Sequence, residues 1–211
     1  MTTYDQINWK EEIANAITHG IGFLLSIPAL VMLIIFAVNK GTTWHVVSFT
    51  IFGSSMIMLY LFSTMLHSFK PSPVKRMFAI LDHSAIYVLI AGTYTPFMLV
   101  SIRGALGWSI FGIVWGIALI GIVFKFYFVD RFNVISTLFY VLMGWLIIIA
   151  IKPIYISLTG SGFALLLTGG LLYSVGAIFY IWDKLPYNHA IWHLFVLAGS
   201  GFMYFCILFY V

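Results

Sequence analysis

Charge is what this sequence has least of. Of its 211 residues only 8% are Asp, Glu, Lys or Arg, while 63% are hydrophobic. A soluble domain carries about 25% charged residues, so this chain cannot cover a water-facing surface. The mean hydropathy is +1.08, and the apolar excess runs along the whole chain. Cysteine is nearly missing as well. Cys206 alone excludes an intrachain disulfide and a CxxC metal site. No lysine occurs in the last apolar run, Asn188 to Val211, which removes the attachment point for a retinal. The basic residues behind the net charge of +4 are scattered between apolar runs. They read as topology signals and lipid-headgroup contacts, not as a nucleic-acid surface. A basic leader is missing too. Asp5, Glu11 and Glu12 precede the first apolar run with Lys10 as the only base, and the run continues to about Val38. A secretory signal peptide has the opposite pattern, so this segment is expected to stay attached.

What is present is a series of apolar runs, roughly 13–38, 44–69, 78–100, 105–124, 132–151, 162–182 and 188–211. Each reaches the ~20 residues a membrane-spanning helix needs. The expected fold is therefore a single all-α membrane domain over residues 1–211, a bundle of seven transmembrane helices with no room for a soluble domain. The breaks are Asn39-Lys40-Gly41, Lys70-Pro71-Ser72-Pro73, Arg103-Gly104, Lys125 to Arg131, Lys152-Pro153 and Asp183-Lys184-Leu185-Pro186. These are turn formers and charges that stop an apolar helix. Pro28 and Pro96 fall inside helices and can kink them. Lys10, Lys70, Lys75, Arg76, Lys125, Arg131 and Lys184 fall on one side of the membrane, and Lys40, Arg103 and Lys152 on the other. The richer side is cytosolic. That puts the N-terminus inside and, with seven spans, the C-terminus outside.

Ionisable groups within spans are costly and point to function. His67 with Ser63 a turn deeper, Asp82, His189 and His193 all fall near cytosolic helix ends, within roughly 10 Å of them at ~1.5 Å per residue. His189 and His193 are spaced i, i+4, so both imidazoles share a helix face. With His67 they make three nitrogen donors, a common catalytic zinc set that leaves a position for water. Asp82 beside that water fits a general base, and Ser63 can orient a ligand or donate to a substrate carbonyl. Singly, each has a plainer reading. The histidine pair and His67 read as interfacial residues, Asp82 as half of a structural pair, and Ser63 as a back-bonded helix serine. The shared depth favours a metal site. Three more residues, Glu12, Asn15 and His19, share a face of the first helix and form a possible second cytosolic-face cluster. Glu12 also fits a helix-start charge that complements the dipole. His83 sits ~100° around the helix from Asp82, and His45 lies at the opposite membrane face.

The segments Glu12 to Gly20, Ser63 to His67, Leu81 to Ser84 and His189 to His193 resemble the hemolysin III family, within the superfamily of adiponectin and progestin receptors and alkaline ceramidases. The resemblance covers almost the whole chain. It implies a seven-helix fold in the plasma membrane of a bacterium, with zinc near the cytosolic face. His67, His189 and His193 would be its ligands, with Asp82 and Ser63 beside the metal-bound water. It also implies a link to membrane lipid homeostasis, with membrane lipids as partners and a lipid as the substrate.

Three functions compete. A membrane-embedded zinc hydrolase of a lipid amide or ester fits a polar site reached from the bilayer. A hemolysin acting as a pore needs polar residues along both halves of a lumen, and the outer halves of these helices are almost wholly apolar. That leaves only an oligomeric pore. A zinc-containing sensor or receptor is the third reading, and the absence of a long cytosolic N-terminal domain opposes a hormone receptor.

Overall fold

The structure is a computed structural model that describes residues 8–211, so Asp5 lies outside the described residues. Among the described residues the chain is helical throughout. The elements are α1 Trp9–Lys40, α2 Thr43–Ser68, α3 Pro73–Pro96, α4 Ala105–Phe128, α5 Asn133–Gly144, α6 Ile151–Tyr180 and α7 Asn188–Tyr210. A π-helical turn, Phe97–Ser101, prolongs α3, and a 3-10 stretch, Trp145–Ala150, joins α5 to α6. Six helical stretches are long and apolar enough to cross a membrane, and their lipid-length apolar surfaces make this a multi-pass membrane protein.

The helix starts have local causes. Asn8 caps α1 by accepting from the Lys10 amide at 3.2 Å, and Glu11 and Glu12 stand in its first turn, where the helix dipole favours acids. Helix α1 thus begins four residues ahead of the apolar run. Ser72 caps α3 and Pro73 occupies its first turn, where the missing N–H costs nothing. Asp82 is therefore nine residues along α3, about 14 Å from its start and deeper than the apolar pattern suggests.

Two expected breaks move. Lys125 is not a loop residue, because α4 runs on to Phe128 and leaves Lys125 only 1% exposed. Lys152-Pro153 does not interrupt the chain either. Both residues lie in the first turn of α6, where proline is tolerated. The sharp change comes at Thr159, whose φ of 61° and ψ of 176° leave the helical region. The fifth and sixth apolar runs thus join in one stretch, Asn133–Tyr180, of 48 residues. That stretch doubles back on itself. The Trp145 indole N–H donates to Ser174 Oγ at 2.9 Å across 29 residues, which a straight helix would separate by about 44 Å. The Tyr94 hydroxyl also reaches across from α3 to the carbonyls of Met143 and Gly144, at 3.1 and 2.7 Å. It satisfies oxygens freed where α5 gives way to the tighter 3-10 turn.

Helix α3 is the centre of the bundle. Its most apolar window is 72% buried, against 22% for α1. Helices α1, α2, α3 and α4 pack in sequence, α6 packs on α7, and α7 closes back onto α1. The α6–α7 contact is close because two glycines face each other. A Cβ on Gly169 would lie 3.2 Å from the Gly199 carbonyl, and one on Gly199 equally near the Gly169 carbonyl. Small residues of this kind let helices approach in a bilayer. Helix α7 is thereby held between α6 and α1, with its first two turns beside the N-terminal half of α1 and the end of α2.

Candidate metal and lipid site

His67 at the end of α2 and His189 and His193 in the first turns of α7 converge. Each offers a ring nitrogen, and the three nitrogens lie within 4.8 Å of one another. His67 and His193 are buried, and His189 is partly buried. The ring centroids are 4.6 to 5.4 Å apart with the rings steeply inclined, so the donors meet at angles and do not stack. This grouping can hold a metal ion.

Two of the three rings are tied down through Nδ1. His67 Nδ1–H donates to Glu12 Oε2 at 3.2 Å, while its Nε2 is buried without a protein partner. His193 Nδ1–H donates to the Asn15 carbonyl at 3.2 Å and lies 3.1 Å from Thr18 Oγ. The Thr18 hydroxyl itself donates to the Ala14 and Asn15 carbonyls, so its oxygen accepts from the histidine. Fixing Nδ1–H by a carboxylate or a carbonyl selects the tautomer whose Nε2 carries the free lone pair. Two of the three rings are therefore set up as Nε2 donors by the protein alone. An orphaned buried nitrogen on His67, imidazole donors with fixed tautomers and a tight mutual distance fit a borderline-soft, tetrahedral ion such as zinc.

Glu12, Asn15 and His19 do not form a second cluster. All three pack on the histidines of the first. Glu12 holds His67 and also accepts from Lys75 Nζ at 2.6 Å. The Asn15 side-chain amide lies 3.5 Å from His67 Nδ1 while its carbonyl holds His193. His19 stacks on His193, with centroids 3.5 Å apart and planes 10° apart. In the sequence Thr18 stands out in no way, Lys75 counts only as a topology charge, and Glu11 only as a charge ahead of the first run. Glu11 Oε1 accepts from the Tyr187 amide at 3.2 Å, at the start of α7. The visible signal was only the i, i+3, i+7 spacing along α1. It showed a polar face without showing which helices that face meets.

Asp82 and Ser63 are buried at 5% and 0% exposure and neighbour each other, with Ser63 Oγ short of a well-formed hydrogen bond. Asp82 stands outside the three-histidine group and lines a cavity of about 140 Å³ together with His19, His83, His189 and His193. His83 shares this cavity although it is turned away from Asp82 on α3, and the Tyr180 hydroxyl is 3.5 Å from its Nε2. Away from these polar groups the walls are mostly apolar, with a few hydroxyls such as Thr93 and Thr137, and come chiefly from α3, α5, α6 and α7. They include Phe97, Val141, Phe163 and Met203. His45 is remote, as expected. Its Nδ1 accepts from the Thr42 amide and its Nε2 lies 3.1 Å from the Val211 oxygen.

Residues 7–204 match the family described as haemolysin-III related. The chain is 66% identical over 202 residues to Hemolysin-3 of Bacillus cereus, covering 96% of this chain and 92% of that one. It is 66% identical over 201 residues to the Hemolysin-3 homolog of Bacillus subtilis (strain 168), covering 95% and 94%. It is 29% identical over 203 residues to the human monocyte to macrophage differentiation factor, covering 93% and 83%. With the family pattern matched over nearly its whole length, the chain belongs to the haemolysin-III related family of multi-pass membrane proteins.

Proposed function

We propose that this protein is a membrane-embedded, zinc-dependent hydrolase of a lipid amide or ester. The observation that carries the proposal is the junction of two features. A three-histidine group, two of its rings held in one tautomer, and a buried carboxylate stand at one end of a cavity that is otherwise mostly apolar. From Asp82 to Phe97 the lining of α3 spans 15 residues, about 22 Å, well over half of a ~30 Å hydrocarbon core. An acyl chain laid along it would place its carbonyl at the histidine end. His67, His189 and His193 would hold the ion. When bound, zinc supplies Lewis acidity and an activated water. Asp82 takes a proton at its carboxylate oxygen as water attacks the carbonyl, and later returns it to the leaving amine or alcohol. Ser63, buried beside Asp82, donates to an oxygen in the same space. The apolar walls exclude bulk water, which strengthens each of these contacts.

The topology belongs to the same proposal. Seven spans run from a cytosolic N-terminus to an external C-terminus, with the site at the cytosolic face. Two observations support the count. A stretch of 48 residues would extend about 72 Å as one helix, more than twice a ~30 Å core, and the Trp145–Ser174 hydrogen bond folds it in two.

The test is Asp82→Asn, measured for zinc content and for turnover across a panel of lipid amides and esters. Zinc is expected to be retained, and turnover to fall by about a hundredfold or more. Unchanged turnover with intact zinc would end the case for Asp82. A wild type that turns over nothing would return the choice to a zinc-containing sensor or an oligomeric hemolysin.

A further inference from the structure

Among the described residues His19 is the one side chain with two buried ring nitrogens that both lack a partner. It lies inside α1 and is 2% exposed. Buried polar side chains are hydrogen-bonded in the large majority of cases, and within a bilayer span the alternative costs more. A neutral imidazole carries one donor and one acceptor whichever tautomer it adopts, so both are uncommitted. Packing accounts for where the ring sits. One face stacks on His193, and Tyr60 meets it edge-on with centroids 5.1 Å apart. Packing does not account for its being a histidine, since phenylalanine would fill the same slot.

A fourth place on the metal does not account for it either. His19 is outside the group whose nitrogens lie within 4.8 Å of one another. Imidazole lone pairs lie in the ring plane. With its ring 3.5 Å from that of His193 and nearly parallel, an ion in the plane of His193 falls out of the plane of His19. What remains is the cavity. His19 lines it beside Asp82, His189 and His193, at the junction of the polar end with the apolar walls.

We propose that His19 is a ligand-contacting residue that hydrogen-bonds the carbonyl of a long-chain lipid in this cavity and so discriminates a carbonyl lipid from a bare hydrocarbon. The inference rests on the reading of the cavity as the seat of a lipid amide or ester. It does not require that the lipid be cleaved. The N–H of His19 donates to the carbonyl oxygen, while the stacked His193 keeps its own N–H for Asn15 and Thr18.

The experiment uses two probes that cannot be hydrolysed, methyl pentadecyl ketone and heptadecane. Each displaces a radiolabelled fatty acid from zinc-loaded protein in detergent. The readout is the ratio of the two affinities, which cancels the contribution of the tail. Wild type is expected to favour the ketone, and His19→Phe to lose about tenfold of that preference with heptadecane affinity and zinc content unchanged. His19→Gln keeps a donor and an acceptor and should retain part of the preference, which also covers the case of a Phe variant that fails to fold. An equal loss for both probes, an equal loss in Gln and Phe, a preference that survives in both, or loss of zinc in either variant would each overturn the proposal. So would a wild type with no preference for the ketone. Failure of the hydrolase reading shows separately, as ketone preference without turnover of any amide or ester.

Discussion

Glu12→Gln isolates the support of one ligand from the ligand itself. Glu12 Oε2 accepts from His67 Nδ1–H at 3.2 Å and from Lys75 Nζ at 2.6 Å, and the Glu12 side chain is 20% exposed. Gln keeps the shape and an acceptor oxygen but removes the negative charge, and its amide nitrogen can only clash with the N–H of His67. The Lys75 pair is partly solvated and contributes ~0–1 kcal/mol. The His67 contact matters more for the metal. A carboxylate behind a ligating histidine fixes its tautomer and raises its basicity, and loss of such a partner costs ~10–100-fold in metal affinity, or about 1.4–2.8 kcal/mol. The expected result is a zinc dissociation constant raised by about that factor in a chelator competition. Metal-free thermal unfolding should shift by no more than the ion pair accounts for. Lys75→Ala is the control, because it removes the same ion pair and leaves Glu12 on His67. It should change zinc affinity by less than about threefold. Equal zinc affinity in Glu12→Gln and wild type would refute the reasoning, since the Nδ1 contact would then have no bearing on the free nitrogen.

Other outcomes follow from the same geometry. Purified wild type should carry about one zinc per chain; His67→Ala and His193→Ala should lose most of it by elemental analysis, while His45→Ala keeps it, and equal retention in all three would remove the ligand assignment. A reporter fused after Val211 should be active outside the cytosol and one inserted at Pro73 inside, and the reverse pattern would overturn the orientation. Thr159 has a positive φ that only glycine adopts freely, at a cost of ~1–3 kcal/mol. Thr159→Gly should therefore raise the unfolding temperature in detergent, with a net gain near the low end of that range, and a lower temperature would show that the threonine side chain has a role there.

The helices were legible because an apolar run of spanning length has only one use for its backbone in a bilayer. Their ends were less so. Lys125 has the chemistry of a loop residue but is enclosed in α4, and a charge on the helix edge does not reveal whether neighbours cover it. Lys152-Pro153 looked like a break because proline stops helices, yet proline at a helix start is compatible with one. The real departure, Thr159, carries no turn signal itself and sits beside the glycine that does. The histidines were legible as a set because charge asymmetry assigned their helix ends to one side, and depth along a helix is a matter of counting residues.

Sequence alone determined the solvent, the helical class and the helix faces, which depend on composition and on the fixed helical period, while the depth of Asp82 had to wait for the true start of α3 at Pro73. Azimuth was beyond it, because which face meets which neighbour is set by packing across the bundle. Glu12, Asn15 and His19 were visible as one face of α1 and were read as a cluster apart. Only the closure of α7 onto α1, with α2 alongside, placed that face behind His67 and His193 and joined the two clusters into one site. Tertiary structure likewise decided that Asp82 and His83, on different faces of α3, both reach one cavity. The cavity lies where α3 meets α5, α6 and α7, and contacts between residues so far apart in the chain exist only once the helices are assembled.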